Sequence, residues 1–189
     1  MDRRIDTSKK AGVFLSGGLD SSSIVSLLHE QGVKNLSTFS FRCRGKSFDE
    51  SYYAQRVADR FNTDHHLVEY GPEDVLKAGE MAAQMEEPFS DVGINIATWL
   101  LAKRASGSVD TLFTGDGGDE LFAGHPVYTA DKAAHLIDWI PGFLLSPFLF
   151  LGRLLPDSEQ KKDWRVKIKR FSESYRFPKA LGTHRWRAY

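Results

Sequence analysis

The chain has 189 residues, enough for one domain with a small appendage. Its 41% hydrophobic content supports a core, and 25 basic residues cancel 25 acidic ones, so net charge offers no argument for nucleic acid or a membrane surface as partner. Cys43 is the single cysteine; no disulfide can form within this sequence, which agrees with a reducing, cytoplasmic setting.

Residues 1–10 read as a polar lead or linker, and Met1-Asp2-Arg3-Arg4-Ile5-Asp6 lacks the apolar run of a signal peptide. Residues 11–15 read as an apolar strand and 21–31 as a helix. Between them lies Ser16-Gly17-Gly18-Leu19-Asp20-Ser21-Ser22. A strand, a Gly-rich turn and a helix start form an anion site. The glycines allow close backbone approach, and the helix start offers free N–H groups and the positive end of its dipole. Asp20 beside phosphates makes chemical sense when a hard cation such as Mg²⁺ lies between them. The plainer alternative, a tight turn and a helix cap, suits a lone Gly-Gly better than a whole heptapeptide in this context. The run is neither a Walker A loop nor the dinucleotide fingerprint.

Further strands are expected at 36–42, 65–69 and 110–114, with helices at 50–62, 73–86 and 94–106. In the last helix Ile94, Ala97, Leu101 and Ala105 share one face. Strand–helix alternation predicts an α/β fold with a doubly wound parallel sheet. His65-His66 invites a metal reading, but neighbours in a strand point to opposite faces, so both cannot easily bind one ion. After the fourth strand comes Gly115-Asp116-Gly117-Gly118-Asp119-Glu120-Leu121-Phe122-Ala123-Gly124, with four glycines and three acids. Such a loop alone reads as a solvated turn. At a second strand end facing the same crevice, it would bring Asp116, Asp119 and Glu120 towards Asp20.

From about residue 126 the pattern turns helical. Leu136–Leu155 is apolar, but Asp138, Pro141, Pro147 and Arg153 interrupt it, so it reads as two short helices broken near Pro141 rather than a membrane span. A domain-contact or interfacial role is compatible with it. Residues 153–189 carry 11 Lys/Arg and 4 Asp/Glu. This reads as a solvated or partner-facing helical surface, with nucleic acid the lesser reading. Trp164, Phe171, Tyr175, Phe177 and Trp186 lie there, and helix packing explains them better than base stacking because Val166, Ile168, Phe171 and Tyr175 keep helical spacing.

The first motif resembles the pyrophosphate loop of the ATP pyrophosphatases, which include asparagine, GMP, NAD and argininosuccinate synthetases. Together the two motifs resemble the synthetase domain of glutamine-dependent asparagine synthetases. Thr38-Phe39-Ser40-Phe41, Phe48-Asp49-Glu50, Thr63-Asp64-His65-His66 and Glu87-Pro88-Phe89-Ser90-Asp91 fit that pattern too. The likeness covers about residues 11 to 128. It implies an adenine nucleotide alpha hydrolase-like (PP-loop) domain at 11–125, followed by a helical, basic segment at 126–189.

The resemblance also implies an activity. A carboxylate is adenylated by Mg·ATP with release of pyrophosphate, and ammonia then forms the amide. Leu15, Phe41, Thr114 and Gly115 would contact the adenosine through their backbones. Ser16, Gly17, Gly18, Leu19, Asp20, Ser21 and Ser22 would cradle the pyrophosphate. Asp20 and Asp119 would hold Mg²⁺, and Asp116, where many members carry Glu, would support formation of the acyl-adenylate. His125 departs from the family's usual Tyr. The implied partners are aspartate or another small carboxylate, ammonia, and a glutaminase domain absent from these residues; a homodimer is compatible. No residue here matches the family's adenylation lysine, and Lys161, Lys162, Lys167 and Lys169 lie in the wrong segment. Two alternatives stay open: a β-lactam or peptide-cyclising synthetase of the same fold, and a truncated, non-catalytic nucleotide-binding module.

Overall fold

A computed structural model describes residues 6, 9–43, 49–87, 94–156, 163–181 and 186. Two compact units divide the chain, Met1–Asp116 and Gly117–Tyr189. Phe48, the segment 88–91, Lys161, Lys162 and His184 fall outside the described residues.

The first unit holds a parallel sheet of β1 (Ala11–Phe14), β2 (Ser37–Cys43), β3 (Asp64–Tyr70) and β4 (Thr111–Phe113), in the order β3-β2-β1-β4. Each strand begins and ends within about two residues of its expected position. The helices are α1 (Leu19–Glu30), α2 (Ser51–Phe61), α3 (Ala78–Ala82) and α4 (Ile94–Ala105). Side chains alternate across β1. Ala11, Val13 and Leu15 pack with Val25 and Leu28 of α1 and Ala54 and Ala58 of α2. Phe14 joins Phe39 of β2 and Leu101 and Ala105 of α4 in a second cluster. With helices on both faces, the sheet is doubly wound, as the alternating pattern predicts. Ala97, Leu101 and Ala105 are buried, the face expected of α4.

Residues 73–86 depart from expectation. They form a 3-10 helix, Pro72–Lys77, and then the short α3. The Asp74 carboxylate accepts from the Gly71 N–H at 2.8 Å and from Lys77 Nζ at 2.7 Å, tying a tight turn in place. That bond from Asp74 holds the Lys77 ammonium above its ordinary pKa. No residue of α3 is buried, so packing does nothing to lengthen it.

The paired histidines do part to opposite faces of β3. His65 Nδ1 lies 2.8 Å from Thr38 Oγ1, whereas His66 stacks on Phe39 and meets Arg104 and Asp64. Among the described residues, no group of three or more His, Cys, Asp or Glu could hold a metal ion. Burial lowers the His65 pKa from its ordinary 6.5, and His66 adds to the effect. Its Nε2 is buried without a partner, so a proton there would gain no acceptor. The folded chain therefore resists protonation that the unfolded chain accepts. Stability should be undiminished by this group above pH 6.5 and fall as pH drops below it. Urea unfolding from pH 7.5 to 5.5 should show that decline, and His65→Gln should flatten it; an equal slope in both proteins would contradict the assignment.

The second unit, which begins at Gly117, is helical: α5 (Gly118–Phe122), α6 (Pro126–Ile137), α7 (Gly142–Arg153) and α8 (Trp164–Ser174). The break between α6 and α7 falls at Pro141, which N-caps α7. Val127, Ala134 and Trp186 form its core, with Phe171 stacked on Trp186 at 5.1 Å. Gly152 lets α7 lie directly against Ser172 of α8. Among the described residues, no helix is long and apolar enough to cross a membrane.

Candidate functional site

The chain runs outward from β1 to β2 to β3, then returns to place β4 on the other side of β1. At such a reversal, loops from adjacent strand ends diverge and leave a crevice beyond the carboxyl ends of the strands. A cavity of about 270 Å³ lies there. Its walls come from Leu15, Ser16, Gly18, Asp20 and Ser21 after β1, Phe41 of β2, and Thr114, Gly115 and Asp116 after β4. Nine residues assigned to the site from sequence thus line one cavity.

Gly17, Leu19 and Ser22 do not line it. Gly17 has φ +79°, and an added Cβ would stand 2.5 Å from the Ala54 backbone nitrogen. It is the hinge that presses the loop against α2. Leu19 points into solvent, at 87% exposed. The Ser22 hydroxyl is buried without a hydrogen-bond partner. Asp119 and Glu120 lie on α5, in the second unit.

The loop is braced by its own hydroxyls. Ser16 N–H donates to Ser21 Oγ at 3.2 Å, Gly18 N–H donates to Ser16 Oγ at 3.2 Å, and the two hydroxyls lie 3.1 Å apart. Gly18 is the N-cap of α1, and no side chain caps that helix. Its first-turn N–H groups are therefore not taken by a cap and can serve an anion. Gly115 brings the β4 loop onto this turn, since a Cβ there would lie 3.2 Å from Ser21 N and 3.3 Å from Asp20 Cβ.

Sequence reasoning missed part of the wall. Phe14, Phe39 and Leu101 contribute an apolar side, Thr98 stands beside them, and Ser40 adds a buried hydroxyl. Thr98 and Leu101 come from α4, far from either motif, and only the fold brings them in. Ser40 carries a weak signal, a polar residue inside the apolar run Phe39–Phe41.

The oxygen donors present suit Mg²⁺. Asp20 supplies a carboxylate at the cavity, and Mg²⁺ needs only one or two such groups when phosphates supply the rest. A dedicated protein cage is not required.

The family model described as Asparagine synthase matches residues 1–189. The chain belongs to that family. It is similar to the putative asparagine synthetase (glutamine-hydrolyzing) 2 of Methanocaldococcus jannaschii, 34% identical over 143 residues, which is 75% of this chain and 27% of that protein. It is also similar to asparagine synthetase (glutamine-hydrolyzing) 1 of Bacillus subtilis, 29% identical over 152 residues, 80% of this chain and 24% of that protein. Among solved structures, the NH3-dependent NAD synthetase of Campylobacter jejuni aligns with a TM-score of 0.40 and 14% identity, over 61% of this chain and 51% of that one. The chain spans about a quarter of the length of the two curated relatives.

Proposed function

We propose that this chain is the ATP-using part of an amide-forming ligase of the asparagine synthase type. The observation that carries the reading is the convergence of the Ser16–Ser22 loop and Thr114–Asp116 on one cavity at the strand-order reversal.

In this reading a carboxylate oxygen of the acceptor attacks the α-phosphorus of ATP. The bond from that phosphorus to the bridging oxygen breaks, and pyrophosphate leaves with the electron pair. Ammonia then attacks the acyl carbon, loses a proton and displaces AMP. The adenosine lies against the apolar wall, with Leu15, Phe41, Thr114 and Gly115 meeting it through their backbones. The uncapped start of α1 and the loop hydroxyls bind the pyrophosphate and stabilise the charge gathering on it as it departs. Asp116, on the cavity wall, supports formation of the acyl-adenylate. Asp20 would hold Mg²⁺, whose contribution would be to neutralise phosphate charge. Aspartate is the first acceptor to test, with ammonia from a partner glutaminase domain. A cytoplasmic setting, reducing and rich in ATP, suits the single thiol of Cys43.

The test is pyrophosphate release from Mg·ATP across a panel of carboxylates, with and without ammonium. Release that needs a carboxylate, followed by amide formation that needs ammonium, is the expected result. Amide formed from an internal amine without ammonium would favour the cyclising synthetases instead.

A further inference from the structure

Leu15 is the last residue of the first strand's apolar run, at the mouth of the cavity. Its backbone N–H is already committed, donating to the Phe39 carbonyl at 2.8 Å. Its carbonyl is therefore the one backbone group it can offer a ligand. A carbonyl oxygen has two lone pairs. One of them accepts a hydrogen bond from the Ser40 hydroxyl. Ser40 is itself only 3% exposed and lies on β2 between Phe39 and Phe41, which also line the cavity.

A buried hydroxyl that donates to the carbonyl of a cavity-lining residue fixes where that oxygen points. We propose that Ser40 is a positioning residue for the nucleoside. By holding one lone pair of Leu15, it aims the other at a donor on the bound nucleotide. The geometry also ties β1 to β2 beyond the end of their regular pairing, which stops at Phe14 and Phe39. The inference rests on the reading of the cavity as an ATP site, and it adds a residue to which neither motif points. Its reach is confined to the nucleoside end. The Ser16–Ser21 bracing and the start of α1 involve no atom of Ser40.

That separation makes the test specific. Mg·ATP and Mg·tripolyphosphate are titrated into the chain and into Ser40→Ala by calorimetry, with circular dichroism to confirm that the variant is folded. The variant should bind Mg·ATP about tenfold more weakly, the scale of one misdirected hydrogen bond, while tripolyphosphate affinity is unchanged. Unchanged ATP affinity would overturn the proposal. Equal weakening of both ligands would overturn it too, because a general loosening of the sheet would act on both. If the unsubstituted chain binds tripolyphosphate but gains nothing from the nucleoside, the adenosine reading fails along with Ser40. If it binds neither ligand, the failure lies with the phosphate site and reaches beyond Ser40.

Discussion

Replacing Asp20 with alanine should abolish carboxylate-dependent pyrophosphate release, with a loss of about 10²–10³ or more. Asp20 is the carboxylate that the first turn of α1 brings to the cavity wall. In the proposed chemistry it holds the cation that lets a polyphosphate sit beside an acidic residue. Without it, Mg·ATP affinity should also fall, by about tenfold or more, since a hydrogen bond to a charged group contributes roughly 1.5–3 kcal/mol. The side chain is only half-buried and forms no part of the hydrophobic clusters, so the fold should survive. Normal pyrophosphate release by a folded Asp20→Ala chain would remove the loop from the mechanism.

Gly17→Ala should do the opposite, breaking local structure first and binding as a consequence. The residue sits at φ +79°, where an L side chain is strained. Its Cβ would stand 2.5 Å from the Ala54 nitrogen and the Tyr53 carbonyl carbon. These are backbone atoms of α2, so no rotamer change relieves the clash. Strain and overpacking together should cost about 2–4 kcal/mol, read as a lower urea midpoint with an unchanged slope. Gly18→Ala is the control. Its φ is −72°, and its Cβ would meet nothing nearer than Ser16 Oγ at 3.3 Å. It should shift stability by less than about 1 kcal/mol, because an unstrained Gly→Ala replacement acts mainly by restricting the unfolded chain and is itself mildly stabilising (~0.4–1 kcal/mol). Equal destabilisation by the two substitutions would mean that the loop does not turn on Gly17.

β1 and β4 were legible as short apolar runs, and β2 and β3 as stretches carrying β-favouring Thr, Phe, Val and Tyr, and tertiary packing agrees with that local preference. Their order was not. Nothing local in Thr111–Phe113 says that this strand pairs with Ala11–Phe14 rather than with β3. The 73–86 stretch misled because its composition favours a helix, whereas the buried Asp74 carboxylate closes a tighter turn. The loop residues of the site were legible from chemistry alone, as glycines, hydroxyls and a carboxylate at a strand end. The apolar wall was not, because Thr98 and Leu101 reach the cavity only through the long return from β3 to β4. Ser22 stood in the motif, but its hydroxyl is buried and it does not line the cavity.

The central claim is that the cavity between the ends of β1 and β4 binds Mg·ATP through the Ser16–Ser22 loop. Calorimetric titration of Mg·ATP into the chain, with Asp20→Ala beside it, tests that claim most directly. Saturable binding with one site, lost or weakened about tenfold or more in the variant, is the predicted result. A folded chain that binds no Mg·ATP, or binds it equally well without Asp20, would contradict it.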